Sequence, residues 1–265
     1  MELQVPDQHR IVTQKIMSKK ALVILVILIL ISIFAFYSLN KDESVGGLKN
    51  ENLEKSSSLN FDFNRPKKSA HYETNTPAHA SVLAASPINI VIDFNFDLAP
   101  PSSISIKKDG VEYSVGETVI DSNKLVLRKN FDADAPNGLY KVDYNACWPD
   151  RSCHQGYFEF AIDRDTAVPF QDMRNKSEIT IRMSEIKFLP KDLIVSPNTK
   201  VIWVNDDDTI HYVNTDSHPA HTYFEKQNSK ALNKGELHSV VFSKIGAYPY
   251  HCSAHTEMTG NIIVQ

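Results

Sequence analysis

The hydrophobic pattern along this chain has two regimes. From Ala21 to Leu39 it reads ALVILVILILISIFAFYSL, an apolar run without a charge. A helix of that length reaches roughly 28 Å, close to the hydrocarbon thickness of a bilayer. Arg10, Lys15, Lys19 and Lys20 precede it, which predicts a cytoplasmic N-terminus over 1–20. The competing reading is a cleaved signal peptide. The run is long for one, and Ser38-Leu-Asn-Lys-Asp42 follows it without a small-x-small cleavage site, so an uncleaved transmembrane anchor over 21–39 is the expectation. Everything after it is expected outside the cytoplasm.

Residues 40–78 are rich in Lys, Glu, Asn and Ser and carry Pro66 and Pro77. With few apolar side chains to bury, they predict a disordered tether. At 79–163 the pattern becomes period-two alternation. Asn89-Ile-Val-Ile-Asp-Phe and Ser103-Ile-Ser-Ile are strand-like, Asp109-Gly110 is a hairpin signal, and Val111-Glu-Tyr-Ser-Val resumes the alternation. Lys124-Leu-Val-Leu, Leu139-Tyr-Lys-Val-Asp-Tyr and Gly156-Tyr-Phe-Glu-Phe-Ala-Ile complete the series. Many short strands between turn residues predict an antiparallel sandwich. Residues 164–176 read as a linker, and 177–265 hold a second run of strands. In that run Ser196-Pro-Asn-Thr199 is a turn and Lys200-Val-Ile-Trp-Val-Asn205 a strand with Trp203 in the core.

Charge and cysteine usage narrow the function. The formal net charge is −4, so no basic face for nucleic acid is indicated. There are three cysteines. Cys147 and Cys153 flank Trp-Pro-Asp-Arg-Ser, and outside the cytoplasm a small disulfide loop is plausible; two free thiols, or a soft-metal site with His154, are the alternatives. Cys252 is left without a partner, and metal coordination is the simplest reason for it.

The last strand and loop supply that metal chemistry. Cys252, His255 and Met258 stand in Cys-x2-His-x2-Met spacing, and His211 lies upstream. One thiolate, two imidazoles and a thioether suit a mononuclear copper that cycles between Cu(I) and Cu(II). Alternation points His251 away from Cys252, so it is read as non-ligating. His218 and His221 form His-x2-His; a metal-free surface loop is favoured there over a secondary copper site. Asp206-Asp-Asp208 reads as a solvated turn rather than a cation site.

The second run of strands resembles a cupredoxin, a type 1 blue copper domain. The likeness rests on Phe188-x-Pro190, Val201-x-Trp203-x-Asn205, His211 and Tyr248-x-Tyr250-x-Cys252-x2-His255-x2-Met258. Its short ligand loop is similar to the amicyanin and pseudoazurin type. The resemblance implies a Greek-key sandwich over 177–265, ligands His211, Cys252, His255 and axial Met258, and His255 near the surface as the electron port. Residues 79–163 resemble a CopC-like copper-resistance domain through His79-Ala-Ser-Val-Leu-Ala-Ala-Ser-Pro87, Asn137-Gly-Leu-Tyr-Lys-Val-Asp-Tyr144 and His154-Gln-Gly-Tyr-Phe-Glu-Phe160. This implies a second Cu(II) site at His79, Asp150 and His154. His79 is internal, however, and Arg151-Ser-Cys153 lengthens the spacing, so a structural or degenerate copper domain is expected.

The expected fold is therefore all-β: two tandem antiparallel Greek-key β-sandwiches behind one transmembrane helix. The expected function is single-electron transfer with redox partner proteins. The rival is copper sequestration, delivery or resistance, with copper donors and acceptors as partners. The chain has no His-x-His pair and no second Cys beside Cys252. It therefore lacks the ligands for additional oxidase-type copper centres, and neither catalytic turnover nor an organic cofactor is expected.

Overall fold

The computed structural model describes residues 60–165 and 170–265. The expected cytoplasmic segment, the 21–39 anchor and most of the tether lie outside the described residues. No helix among the described residues is long and apolar enough to cross a membrane.

Alternation in the first half produces two sheets. One runs in the order β1 (Tyr72–Thr76), β3 (Asn89–Phe94), β7 (Val126–Phe131), β6 (Ser114–Ile120). The other runs β2 (Val82–Leu83), β9 (Cys153–Ile162), β8 (Gly138–Cys147), β4 (Ser103–Lys108), β5 (Val111–Glu112). Inward positions of both interdigitate: Ile90, Ile92 and Leu127 share one buried cluster with Ile106, Tyr140, Val142 and Phe160. The Cys147–Cys153 disulfide closes the β8–β9 hairpin, which resolves the three readings of that pair.

The second half repeats the plan. β12 (Lys187–Leu189), β11 (Glu178–Ser184), β14 (Thr199–Asn205) and β16 (Leu237–Phe242) form one sheet in that order. β10 (Gln171–Asp172), β13 (Asp192–Val195), β18 (His255–Val264), β17 (Gly246–Cys252) and β15 (Asn214–Thr215) form the other. Trp203 is fully buried, with its ring centroid 5.4 Å from that of Tyr250 and 6.3 Å from that of Phe242.

Three expectations change. Only the β1–β3–β7–β6 sheet is wholly antiparallel; the other three are mixed, because β2–β9, β10–β13, β11–β14 and β13–β18 pair in parallel. Between β11 and β14 the chain visits the facing sheet as β13, and this crossover is what returns it in the same direction. The tether also ends earlier than residue 78. Asn64 donates to the Glu159 carboxylate through its backbone N–H at 2.7 Å and its Nδ2 at 2.9 Å. Lys67 exchanges backbone bonds with Tyr157 at 3.0 and 2.9 Å, and β1 pairs with β3. Sheet-edge pairing needs backbone donors and acceptors, not apolar side chains, so composition alone hides it. The expected 164–176 linker likewise ends inside the second sandwich, as β10.

The two sandwiches share a buried seam. Ile88, Val91 and Val126 belong to the same cluster as Val213, Tyr223, Phe242 and Tyr248. The Tyr223 hydroxyl accepts the Ile88 N–H at 2.8 Å and donates to the Ala247 carbonyl at 2.8 Å. Arg128, paired with Asp121 at 2.7 Å, donates to the carbonyl of Thr222 at 2.7 Å. Gly246 has φ of +142°, and a Cβ there would lie 2.8 Å from Ile88 Cγ2 and 2.9 Å from the Ser86 carbonyl. Only glycine lets the strands approach this closely.

Asp93 sits in this seam, 2% exposed, and accepts from Ser217 Oγ at 2.5 Å and Thr222 Oγ1 at 2.7 Å. Burial pushes its carboxyl above the ordinary 3.8, against the opposing pull of both hydroxyls and Arg128. The folded chain thus favours the protonated form more than the unfolded chain does. That stabilisation is full below 3.8 and is lost as pH rises through the folded-state value. Chemical denaturation across a pH series should show the wild type losing stability relative to Asp93→Asn as pH rises over that window. A difference that does not vary with pH would refute this account of Asp93.

Candidate metal centre

Residues of β17, of β18 and of the segment ahead of β15 converge in the second sandwich. β17 carries Cys252 to the edge of the core, and a short reversal pairs Cys252 with His255 at the start of β18. His211 arrives from the other direction. It lies ahead of β15, tied by a bridge to Leu232 with backbone bonds of 3.1 and 2.9 Å. Cys252 and His211 are fully buried, His255 is half-buried, and Met258 is 2% exposed in the same core cluster as Cys252.

The donor atoms face one another. His211 Nδ1 lies 3.6 Å and His255 Nδ1 3.5 Å from Cys252 Sγ. A tetrahedral ion with about 2.0 Å to nitrogen and about 2.3 Å to sulfur would separate such donors by about 3.5 Å. The residues therefore fit a small transition-metal ion, and the thiolate–imidazole–thioether set fits copper.

The tautomer of His211 is set by its neighbour. Its Nε2 lies 2.9 Å from Asp207 Oδ2. A carboxylate only accepts, so Nε2 carries the hydrogen and Nδ1 turns its lone pair toward Cys252. Asp207 is itself held by the N–H groups of Ile186 at 3.0 Å and Glu185 at 2.9 Å. The Ile186 bond foremost holds its carboxyl below the usual range; burial, the next largest effect, opposes it, and the His211 and Glu185 bonds add to the lowering. The Asp206–208 turn is thus more than a solvated loop: Asp206 pairs with Arg182 at 2.6 Å and Asp208 with Lys234 at 2.8 Å. Sequence reasoning missed Asp207, although its i,i+4 spacing to His211 was a usable signal. It also missed the Tyr212 N–H, which donates to Cys252 Sγ at 3.3 Å.

The first sandwich offers no comparable cluster. Among the described residues, His79, Asp150 and His154 do not form a group of converging donors; the groups that do are His211–Cys252–His255 and His218–His221–His251. His79 Nδ1 accepts the Glu159 N–H at 3.3 Å. His154 lies five residues earlier on β9, about 16 Å along a strand. Asp150 is engaged by Ser152, at 2.7 Å to its hydroxyl and 2.9 Å to its N–H. The Cu(II) trio that the resemblance implies is not assembled here, because the turn with Arg151 and the disulfide places Asp150 and His154 at one end of the hairpin and His79 lies toward the other.

Comparison with known proteins follows the same division. Residues 72–163 match the CopC domain family, and residues 175–265 match copper binding proteins of the plastocyanin/azurin family. The curated amicyanin-alpha of Methylorubrum extorquens is 27% identical over 86 residues, covering 32% of this chain and 70% of that protein. A purple cupredoxin from Nitrosopumilus maritimus is 27% identical, covers 32% of this chain and 98% of its own, and has a TM-score of 0.29. A reduced amicyanin variant is 23% identical, with 34% and 84% coverage and a TM-score of 0.31. The chain therefore carries in tandem a stretch that matches the CopC domain family, at 72–163, and one that matches the plastocyanin/azurin family of copper binding proteins, at 175–265.

Proposed function

We propose that this chain is a membrane-anchored, extracytoplasmic blue copper protein that moves single electrons. Its ligands are His211, Cys252, His255 and Met258. The observation that carries this reading is the convergence of Cys252 Sγ with two imidazole Nδ1 atoms at 3.5 and 3.6 Å, with one tautomer set by Asp207. Copper bound there would supply a one-electron couple. The chain's part is to hold donors on paired strands, so they need not move between oxidation states. The Tyr212 N–H and burial keep water from the sulfur, while half-buried His255 faces the surface. Exposed Ile186, Leu189 and Ile210 adjoin the residues that build the site and give a partner protein an apolar landing. The apolar 21–39 segment is proposed to tether this unit to the membrane.

Copper delivery is the second reading, favoured by the CopC domain at 72–163. Loading the full chain with Cu(II) separates the two. Electron transfer requires a strong visible band, reversible one-electron reduction and fast self-exchange, with copper kept in the presence of a chelating acceptor. Prompt surrender of the metal with sluggish self-exchange would instead identify a delivery protein.

Asp207 gives a further check. Asp207→Ala frees the His211 ring and its tautomer, and should weaken copper retention by about 10–100-fold. Competition with a chromophoric chelator measures this; unchanged affinity would remove Asp207 from the site.

A further inference from the structure

The strand that delivers Cys252 presents His251 on its opposite face. There His251, 8% exposed, meets His218 and His221, and ligand atoms of the three rings lie within 4.8 Å of one another. His221 Nε2 is 3.1 Å from His251 Nε2 and 3.3 Å from His218 Nδ1. Ser253 Oγ lies 3.1 Å from the same nitrogen. A neutral ring nitrogen offers one hydrogen or one lone pair in its plane, so it cannot satisfy three such neighbours together. Lone pairs directed at a shared cation remove the conflict.

The surroundings are built to hold that arrangement. His251 Nδ1 lies 3.3 Å from Asp216 Oδ1. With its hydrogen on that side, the His251 Nε2 lone pair faces the cluster, the carboxylate–imidazole pairing found behind metal ligands. The loop bearing His218 and His221 is braced by Asp93, which bonds Ser217 and Thr222 on either side. Asn214 Nδ2 donates to Ser253 Oγ at 2.7 Å.

We propose that His218, His221 and His251 form a second metal site, selective for a late first-row divalent cation and for Cu(II) above Zn(II). Imidazole donors and the general affinity order of these ions set that preference. Three protein ligands leave a position open for water or a small anion. The site carries no sulfur, so Cu(II) there is spectroscopically unlike copper at Cys252. One peptide bond, His251–Cys252, joins the two.

The test titrates Cu(II) into the full chain, with paramagnetic resonance and metal analysis as readouts. Expected is a second copper, beyond the thiolate-bound one, with wide hyperfine splitting and nitrogen couplings. It should persist in Cys252→Ala, which separates this proposal from the electron-transfer reading. His218→Ala and His221→Asn should each weaken it at least about tenfold, since a lost ligand costs no less than a lost outer partner. Both should keep the visible thiolate band, which reports that they fold. A wide-hyperfine signal that survives both variants, or one lost in His154→Ala instead, overturns the proposal. So does a wild type that loads copper at Cys252 and takes up no second ion.

Discussion

Cys252→Ala is expected to abolish the visible thiolate-to-copper band and the narrow-hyperfine resonance completely. The other two cysteines are joined to each other, so no thiolate can substitute. The variant leaves two imidazoles and a thioether, a neutral set without the donor that gives copper its colour and anchors it. The same change should barely affect the metal-free fold, by about 1 kcal/mol, because a small buried side chain is replaced by a slightly smaller one. Absorption, resonance and metal content of the loaded chain, beside denaturation of the unloaded chain, give both halves of the result. A retained band would end the assignment of the centre. A collapsed fold would mean that Cys252 is structural first.

Trp203→Ala should cost about 3–5 kcal/mol, the usual range for emptying a large aromatic site in a packed core. Trp203 is fully buried against Tyr250 and Phe242. Tyr250 lies two residues before Cys252 on β17, with its hydroxyl bonded to the Lys191 carbonyl at 2.7 Å. The cavity would therefore loosen the strand that presents the sulfur. Because metal binding draws on folding free energy, copper affinity should fall along with stability. Denaturant unfolding of the metal-free chain measures the first effect and chelator competition the second. A loss below about 1 kcal/mol would show that the core closes around the gap.

Much of this was legible in the residue pattern. Period-two alternation placed Tyr140, Val142 and Phe160 inward, and Asn198, in the predicted 196–199 turn, has φ of +69°. The spacing around Cys252 anticipated the converging donors, because a tight reversal between paired strands leaves His255 little freedom. Parallel pairing was hidden, since strand direction depends on which sheet the chain visits in between. Asn64 and Lys67 were read as tether, because their contribution is backbone pairing and a polar bond to Glu159. The His218–His221–His251 group was half visible. The alternation argument sent His251 to the other face correctly, but nothing local shows that a loop some thirty residues away folds back to meet it. The His79–Asp150–His154 trio implied by likeness does not converge, for the converse reason: a motif transferred by likeness carries spacing, and here a disulfide hairpin spends that spacing on a turn.

The shared seam has a practical corollary for dissecting this protein. A fragment starting at residue 175 keeps every donor atom of the copper loop and the whole stretch that matches the plastocyanin/azurin family. It would also leave the Tyr223 hydroxyl without the Ile88 N–H, strand β17 without Ser86 and Ile88 alongside Gly246, and the loop over 216–222 without Asp93. Cleaving the backbone inside 164–176 is a gentler cut, since both halves retain their mating surfaces. The covalent connection is dispensable where the packed interface is not, and the two modules should melt as one cooperative body.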